Sequence, residues 1–213
     1  MYEFTRNEIR DLLIAFAVLS ICFAISNVGM DLFGIASILP IVMIGVGAGF
    51  LLHEIGHKFV SMKYGYWAEF KLWPLGLVIA FVTAFLGFVF AAPGAVNTYA
   101  DQMSDEINGR ISIAGPMTNM GLALVFIVIA ALIYPFSIHS QIVHLIYLIC
   151  TVGYSVNSYL AAFNLLPFAT LDGTKVMKWS VLIWFVVFAI AAIMTLLSMT
   201  IGAENMVGLI IGM

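Results

Sequence analysis

Long apolar runs divide this chain, with short polar connectors between them. A helix needs about 20 mostly apolar residues to cross a bilayer. Five runs meet or approach that length: residues 12–28, 35–60, 111–134, 142–166 and 180–201. The first follows a charged start with Glu3, Arg6, Glu8, Arg10 and Asp11. No small-residue cleavage site follows it, so it reads as a retained span rather than a signal peptide. The tail 206–213 is apolar but too short to cross alone.

The stretch 74–93 is ambiguous. It is long enough to span, but Gly76, Gly87, Pro93 and Gly94 punctuate it. It is rich in Val, Ile, Phe and Thr, which suit strands. Periodicity is silent because nearly every position is apolar.

Composition then fixes the class. Of 213 residues, 63% are hydrophobic and 9% charged, against roughly 45–50% and about 25% in soluble domains. So large an apolar excess cannot hide inside one soluble core. Cys22 and Cys150 both sit in apolar runs, which excludes a disulfide scaffold. Eight basic against eleven acidic residues argue against a nucleic-acid partner. The expectation is an all-α integral membrane protein with five to six transmembrane helices, forming a single domain over 1–213. No linker, repeat or soluble module is expected.

Charge resolves the ambiguous stretch. Lys and Arg collect on cytoplasmic flanks. If 74–93 dips in and returns, all eight basic residues, from Arg6 to Lys178, fall on one side. Asp31 and Glu204 fall on the other. A full crossing would split Lys175 and Lys178 from the rest. A re-entrant β-hairpin is therefore expected, with candidate strands 70–77 and 88–95. Such backbone is tolerated at membrane depth only when shielded by protein or facing a water-filled cavity. The N-terminus and the histidine side are expected to be cytoplasmic, in a multi-pass protein of the cell membrane.

The chemistry concentrates in His53-Glu54-Ile55-Gly56-His57. On a helix, residues i and i+4 share a face. Two imidazoles so placed can hold one Zn²⁺, with the intervening Glu near the metal as a general base. An ionisable side chain within a span is costly and marks function by default. The competing reading is a helix end at the interface, with Glu54 and Lys58 as ordinary i, i+4 partners.

A hydrolytic zinc site takes three protein ligands and one open position. Asp101, Asp105 and Glu106 occupy a polar connector, Glu69 lies in a charged one, and Asp31 and Glu204 are on the wrong side. Asp172 remains, beyond a helix break at Pro167. Two crossings separate it from His57, so it returns to the histidine side only if 74–93 does not cross. The competing reading is a plain Asp172-Gly173 turn.

With Asn164…Leu171-Asp172-Gly173 following the two histidines, and with Gly115-Pro116-Met117-Thr118-Asn119 between, the chain resembles the site-2 protease family of intramembrane zinc metalloproteases. The short archaeal type is most similar, given Ala91-Ala92-Pro93-Gly94-Ala95. The resemblance covers the catalytic core, about 35–175. It implies one zinc ion per chain on His53, His57 and Asp172, with Glu54 as general base. It implies that Asn164 binds the substrate carbonyl or oxyanion, and that Gly115, Pro116 and Asn119 pack or position. The implied partner is a transmembrane or membrane-anchored protein substrate within the lipid bilayer. One departure is Gly173-Thr174-Lys175, where the family often has Gly-Gly-Arg.

Two other classes compete. A prenyl-type membrane metallopeptidase draws its third ligand from a Glu on another span, and none is available. A non-catalytic zinc scaffold or transporter has no need of Glu54 between its histidines. His139 and His144 are five apart and on the other side, and Gly45, Gly47 and Gly49 read as a close-packing face.

Overall fold

The computed structural model describes residues 3–100 and 102–212. Asp101 and Met213 from the sequence reading lie outside them. Among the described residues, five helices are long and apolar enough to cross a membrane: Arg6–Val28, Leu32–Lys63, Asp105–Ser137, Gln141–Asn164 and Val181–Thr200. The chain is therefore a multi-pass, mostly helical membrane protein, and each helix coincides with an apolar run read from the sequence, with ends that differ by a few residues.

We label the elements in chain order. They are α1 (Arg6–Val28), α2 (Leu32–Val46), a π-helical turn (Gly47–Leu51), α3 (Leu52–Lys63), β1 (Trp67–Leu72), α4 (Pro74–Ala84), β2 (Gly94–Tyr99), α5 (Asp105–Ser137), α6 (Gln141–Asn164), α7 (Asp172–Trp179), α8 (Val181–Thr200) and α9 (Ala203–Ile210). Polar side chains start the long helices. Thr5, Asp31, Ser104, Ser140 and Ser180 each accept a hydrogen bond from a first-turn N–H. A capping polar residue thus marks the N-terminal boundary of each of these helices.

Helix α6 is the hub. Its Val156 and Leu160 join a cluster with Leu12, Leu19, Val42, Val46 and Phe70. Its Tyr147, Tyr154 and Ala161 join a second cluster with Met120, Ala123, Ala191 and Val207. Gly45 meets Gly153 so closely that a Cβ on Gly45 would lie 3.3 Å from the Gly153 Cα. Gly45 and Gly49 thus pack against α6, while Gly47 faces Phe16 of α1.

The ambiguous stretch is a re-entrant excursion, but its strands lie elsewhere than expected. β1 and β2 pair antiparallel, Trp67 opposite Tyr99 and Leu72 opposite Gly94. The expected strands 70–77 and 88–95 overlap them only in part. The apolar sequence between the strands forms α4 and an irregular return. Pro74 starts α4, where its missing N–H costs nothing. The helix has 11 residues, about 16 Å of rise against a hydrocarbon core of about 30 Å. It cannot cross. Gly87, at φ +84°, supplies the left-handed turn that sends the chain back. The return is pinned where Tyr159 Oη donates to the Val89 carbonyl at 2.6 Å and Trp73 N–H to the Pro93 carbonyl at 2.7 Å. Because Leu72 and Gly94 are paired, the excursion ends where it began.

Candidate metal centre

Three buried side chains converge at the end of the long helices: His53 and His57 from α3 and Asp172 from the start of α7. The two Nε2 atoms are 3.0 Å apart. Asp172 Oδ2 lies 3.4 Å from His53 Nε2 and 3.0 Å from His57 Nε2.

Each histidine is oriented from behind. His57 Nδ1–H donates to the Ile111 carbonyl of α5 at 2.8 Å. His53 Nδ1–H donates to Asn119 Oδ1 at 2.6 Å. The sense of the second bond follows from its surroundings. Asn119 Nδ2 already donates to the Gly49 carbonyl and to Asn157 Oδ1, both at 3.0 Å. Its oxygen is therefore the face left for His53. Asn157 Nδ2 in turn donates to Gly153 at 2.8 Å and Gly45 at 3.4 Å. Two buried amides thus form a satisfied relay from backbone carbonyls to one imidazole.

With both Nδ1 atoms protonated, both Nε2 atoms present lone pairs. They face each other and a carboxylate oxygen. Burial pushes the Asp172 carboxyl up, while the Lys175 ammonium, 3.6 Å from its Oδ1, favours the charged form. Three acceptors packed within 3.4 Å repel one another unless a cation lies among them. Zinc, with bonds of about 2.0–2.2 Å at tetrahedral angles, sets its donors about 3.3–3.6 Å apart. The donor types fit one zinc ion, and the separations of 3.0, 3.0 and 3.4 Å lie within about 0.3 Å of that spacing.

Gly115 makes room for this. It faces the two rings, and a Cβ there would collide with His57 Nε2 and come within 2.6 Å of His53 Nε2. The turn after α6 brings Asp172 in. Pro167 cannot continue the helix, Ala169 takes φ +50°, and α7 begins at Asp172 itself. The segment passes so close to the α6 end that a Cβ on Gly173 would collide with the Leu165 carbonyl.

Glu54 sits beside the group, 7% exposed, with no hydrogen-bond partner for Oε2 among the described residues. The Val96 N–H lies beside its carboxylate. The group opens on a cavity of about 1070 Å³, also lined by Val96, Thr98, Asn164 and Lys175. Asn164, half-buried at the end of α6, donates from Nδ2 to the Leu160 carbonyl at 2.9 Å. An amide has two N–H groups, so one remains for a ligand.

The Glu54–Lys58 pairing weighed from sequence does not form. Lys58 Nζ instead meets Glu8 Oε2 at 2.5 Å. Asn157 and the π-helical turn Gly47–Leu51 escaped the sequence reading. A lone amide inside an apolar span was a usable signal for Asn157. The π turn has no residue signature.

The relay gives a graded prediction. Asn119→Ala removes the group that fixes the His53 tautomer and leaves the three ligands in place. Zinc affinity is expected to fall about 10–100-fold, read by competition with a chromophoric chelator.

No family model matches the chain, and no solved structure matches it. Among curated proteins it is 39% identical over 188 residues to a protein of Methanocaldococcus jannaschii named as a candidate zinc metalloprotease, a match covering 88% of this chain and 92% of that one. A Bacillus subtilis protein with the same description is 26% identical over 155 residues, 67% of this chain and 69% of its own. A second M. jannaschii protein, named a zinc metalloprotease, is 24% identical over 159 residues, which span 74% of this chain and 39% of its own.

Proposed function

The chain belongs to a family of zinc metalloproteases, and from that premise we propose that it is an intramembrane endopeptidase of the site-2 type, acting on membrane-anchored proteins in regulated intramembrane proteolysis. The observation that carries the reading is one cavity, at the end of apolar helices of membrane-spanning length, holding both the three convergent donors and the orphan oxygen of Glu54. A purely structural zinc site has no use for a buried carboxylate with one unpaired oxygen beside it.

His53, His57 and Asp172 would hold the metal. Bound there, zinc acidifies water and polarises a peptide carbonyl. The protein's own groups do the rest. Glu54 takes the proton from the attacking water and returns it to the leaving amine. The free N–H of Asn164 meets the carbonyl oxygen as charge builds on it. Lys175 Nζ, 3.6 Å from Asp172 Oδ1, holds the ligand's second oxygen.

A transmembrane helix hides its peptide bonds in i→i−4 hydrogen bonds, so a substrate must unwind before it is cut. β2 offers those bonds elsewhere. Asn97 and Ala95 pair inward to β1, which turns the backbone groups of Val96 and Thr98 toward the cavity. An unwound segment adds to that edge as a third strand. The basic residues on this end support a cytoplasmic orientation for it, in the cell membrane.

Metal removal tests the catalytic part. Chelated protein in liposomes is expected to lose cleavage of a single-span substrate and to recover it with about one zinc per chain. Cleavage that persists after zinc is stripped overturns the reading.

A further inference from the structure

β1 has a second edge, facing away from β2. Trp67, Glu69 and Lys71 pair with Tyr99, Asn97 and Ala95. The N–H groups of Phe70 and Leu72 therefore point outward, and two carboxylates of α1 take them. Phe70 N–H donates to Glu8 Oε1 at 3.1 Å, and Leu72 N–H to Asp11 Oδ2 at 3.3 Å. The periods match: i, i+3 on a helix face stands against i, i+2 along a strand edge. Thr5 Oγ1 adds a bond to Glu69 Oε1 at 2.5 Å.

Glu8 does more than cover an edge. Its other oxygen meets Lys58, the residue after the ligand His57, and the pair is 1% and 3% exposed. The Lys58 ammonium also lies 4.2 Å from the Phe4 ring centre and 5.5 Å from that of Trp67. A buried ion pair is weak evidence for stability, since apolar replacements are often neutral or stabilising. What this pair does is geometric. One carboxylate joins the helix that carries Glu54 to the strand that carries β2.

We propose that Glu8, with Asp11, closes the outer edge of β1, and that Glu8 is a positioning residue for the substrate strand. Closing β1 leaves β2 as the edge open to substrate. Tying Phe70 to Lys58 sets that edge at a fixed height beside Glu54. The inference deepens the strand-docking reading above and rests on it. When the tie is lost, the substrate strand is misplaced while the metal group stays whole, so KM rises more than kcat falls.

A charge swap separates this from a merely structural ion pair. Glu8→Lys with Lys58→Glu restores opposite charges, but lysine has no acceptor for the Phe70 N–H. The full chain in liposomes, with a single-span substrate, is expected to keep its zinc. Its KM should rise about tenfold, the loss of one hydrogen bond to a charged group. Amide exchange at Phe70 should quicken whether or not substrate is present. Asp11→Leu should raise KM in the same sense, and Asp11→Asn, which keeps an acceptor, should restore it. That second pair decides the matter if the swapped protein does not fold. A swapped protein with the parent KM and unchanged exchange at Phe70, or equal KM for Asp11→Leu and Asp11→Asn, overturns the inference. Strand docking is judged separately, on the unmutated protein. If prolines at alternate positions of the substrate segment leave its KM unchanged, docking on β2 is wrong and this inference falls with it.

Discussion

Glu54→Gln is expected to keep its zinc and lose cleavage by a factor of about 10²–10⁴. The substitution preserves shape and removes only the ability to accept a proton. Glu54 is absent from the ligand group, so metal binding has no reason to change. The carboxylate is also a cost to the fold. It is buried, and its Oε2 has no partner among the described residues. A neutral amide relieves that desolvation. The thermal midpoint of Glu54→Gln should therefore match or exceed that of the parent, as happens when a site gives up stability for activity. An unchanged cleavage rate with zinc retained would remove Glu54 from the chemistry.

Asp172→Ala is expected to lose the metal itself. Structural zinc sites bind with about 10–16 kcal/mol over four ligands, or about 2.5–4 kcal/mol for each. Losing one of three donors should weaken zinc by on the order of a hundredfold or more. The remaining Nε2 atoms, 3.0 Å apart, cannot close the gap, because Ile111 and Asn119 hold the other side of each ring. Cleavage should fall below detection and return only in part at high zinc. Dialysis against graded zinc with metal analysis reads this directly. Unaltered affinity would mean that Asp172 is only a turn residue.

Much of this arrangement was legible in the sequence because it rests on local rules. The spans follow from apolar length. The grouping of His53, His57 and Asp172 follows from i, i+4 geometry, the scarcity of acids and the parity of crossings. The shape of the 74–93 excursion was not legible. In an all-apolar segment neither a 3.6 nor a 2.0 period can appear, so helix α4 left no trace. The strands fell outside that segment, where Trp67–Leu72 carries the alternation that β1 shows in its burial. Long-range polar pairs escaped for another reason. Glu8 and Lys58 are 50 residues apart, and only the fold brings them together. The Asn119–Asn157 relay likewise joins two helices: each amide stands out in its own span, but only the fold pairs them.

The most direct test of the central claim is the position of the cut. A single-span substrate reconstituted with the protein in liposomes, its products mapped by mass spectrometry, should show cleavage inside the apolar segment, toward the end that faces the basic side of the enzyme. Cuts confined to the soluble flanks, with the apolar segment intact, would contradict an intramembrane protease and leave a zinc peptidase that is merely anchored in the membrane.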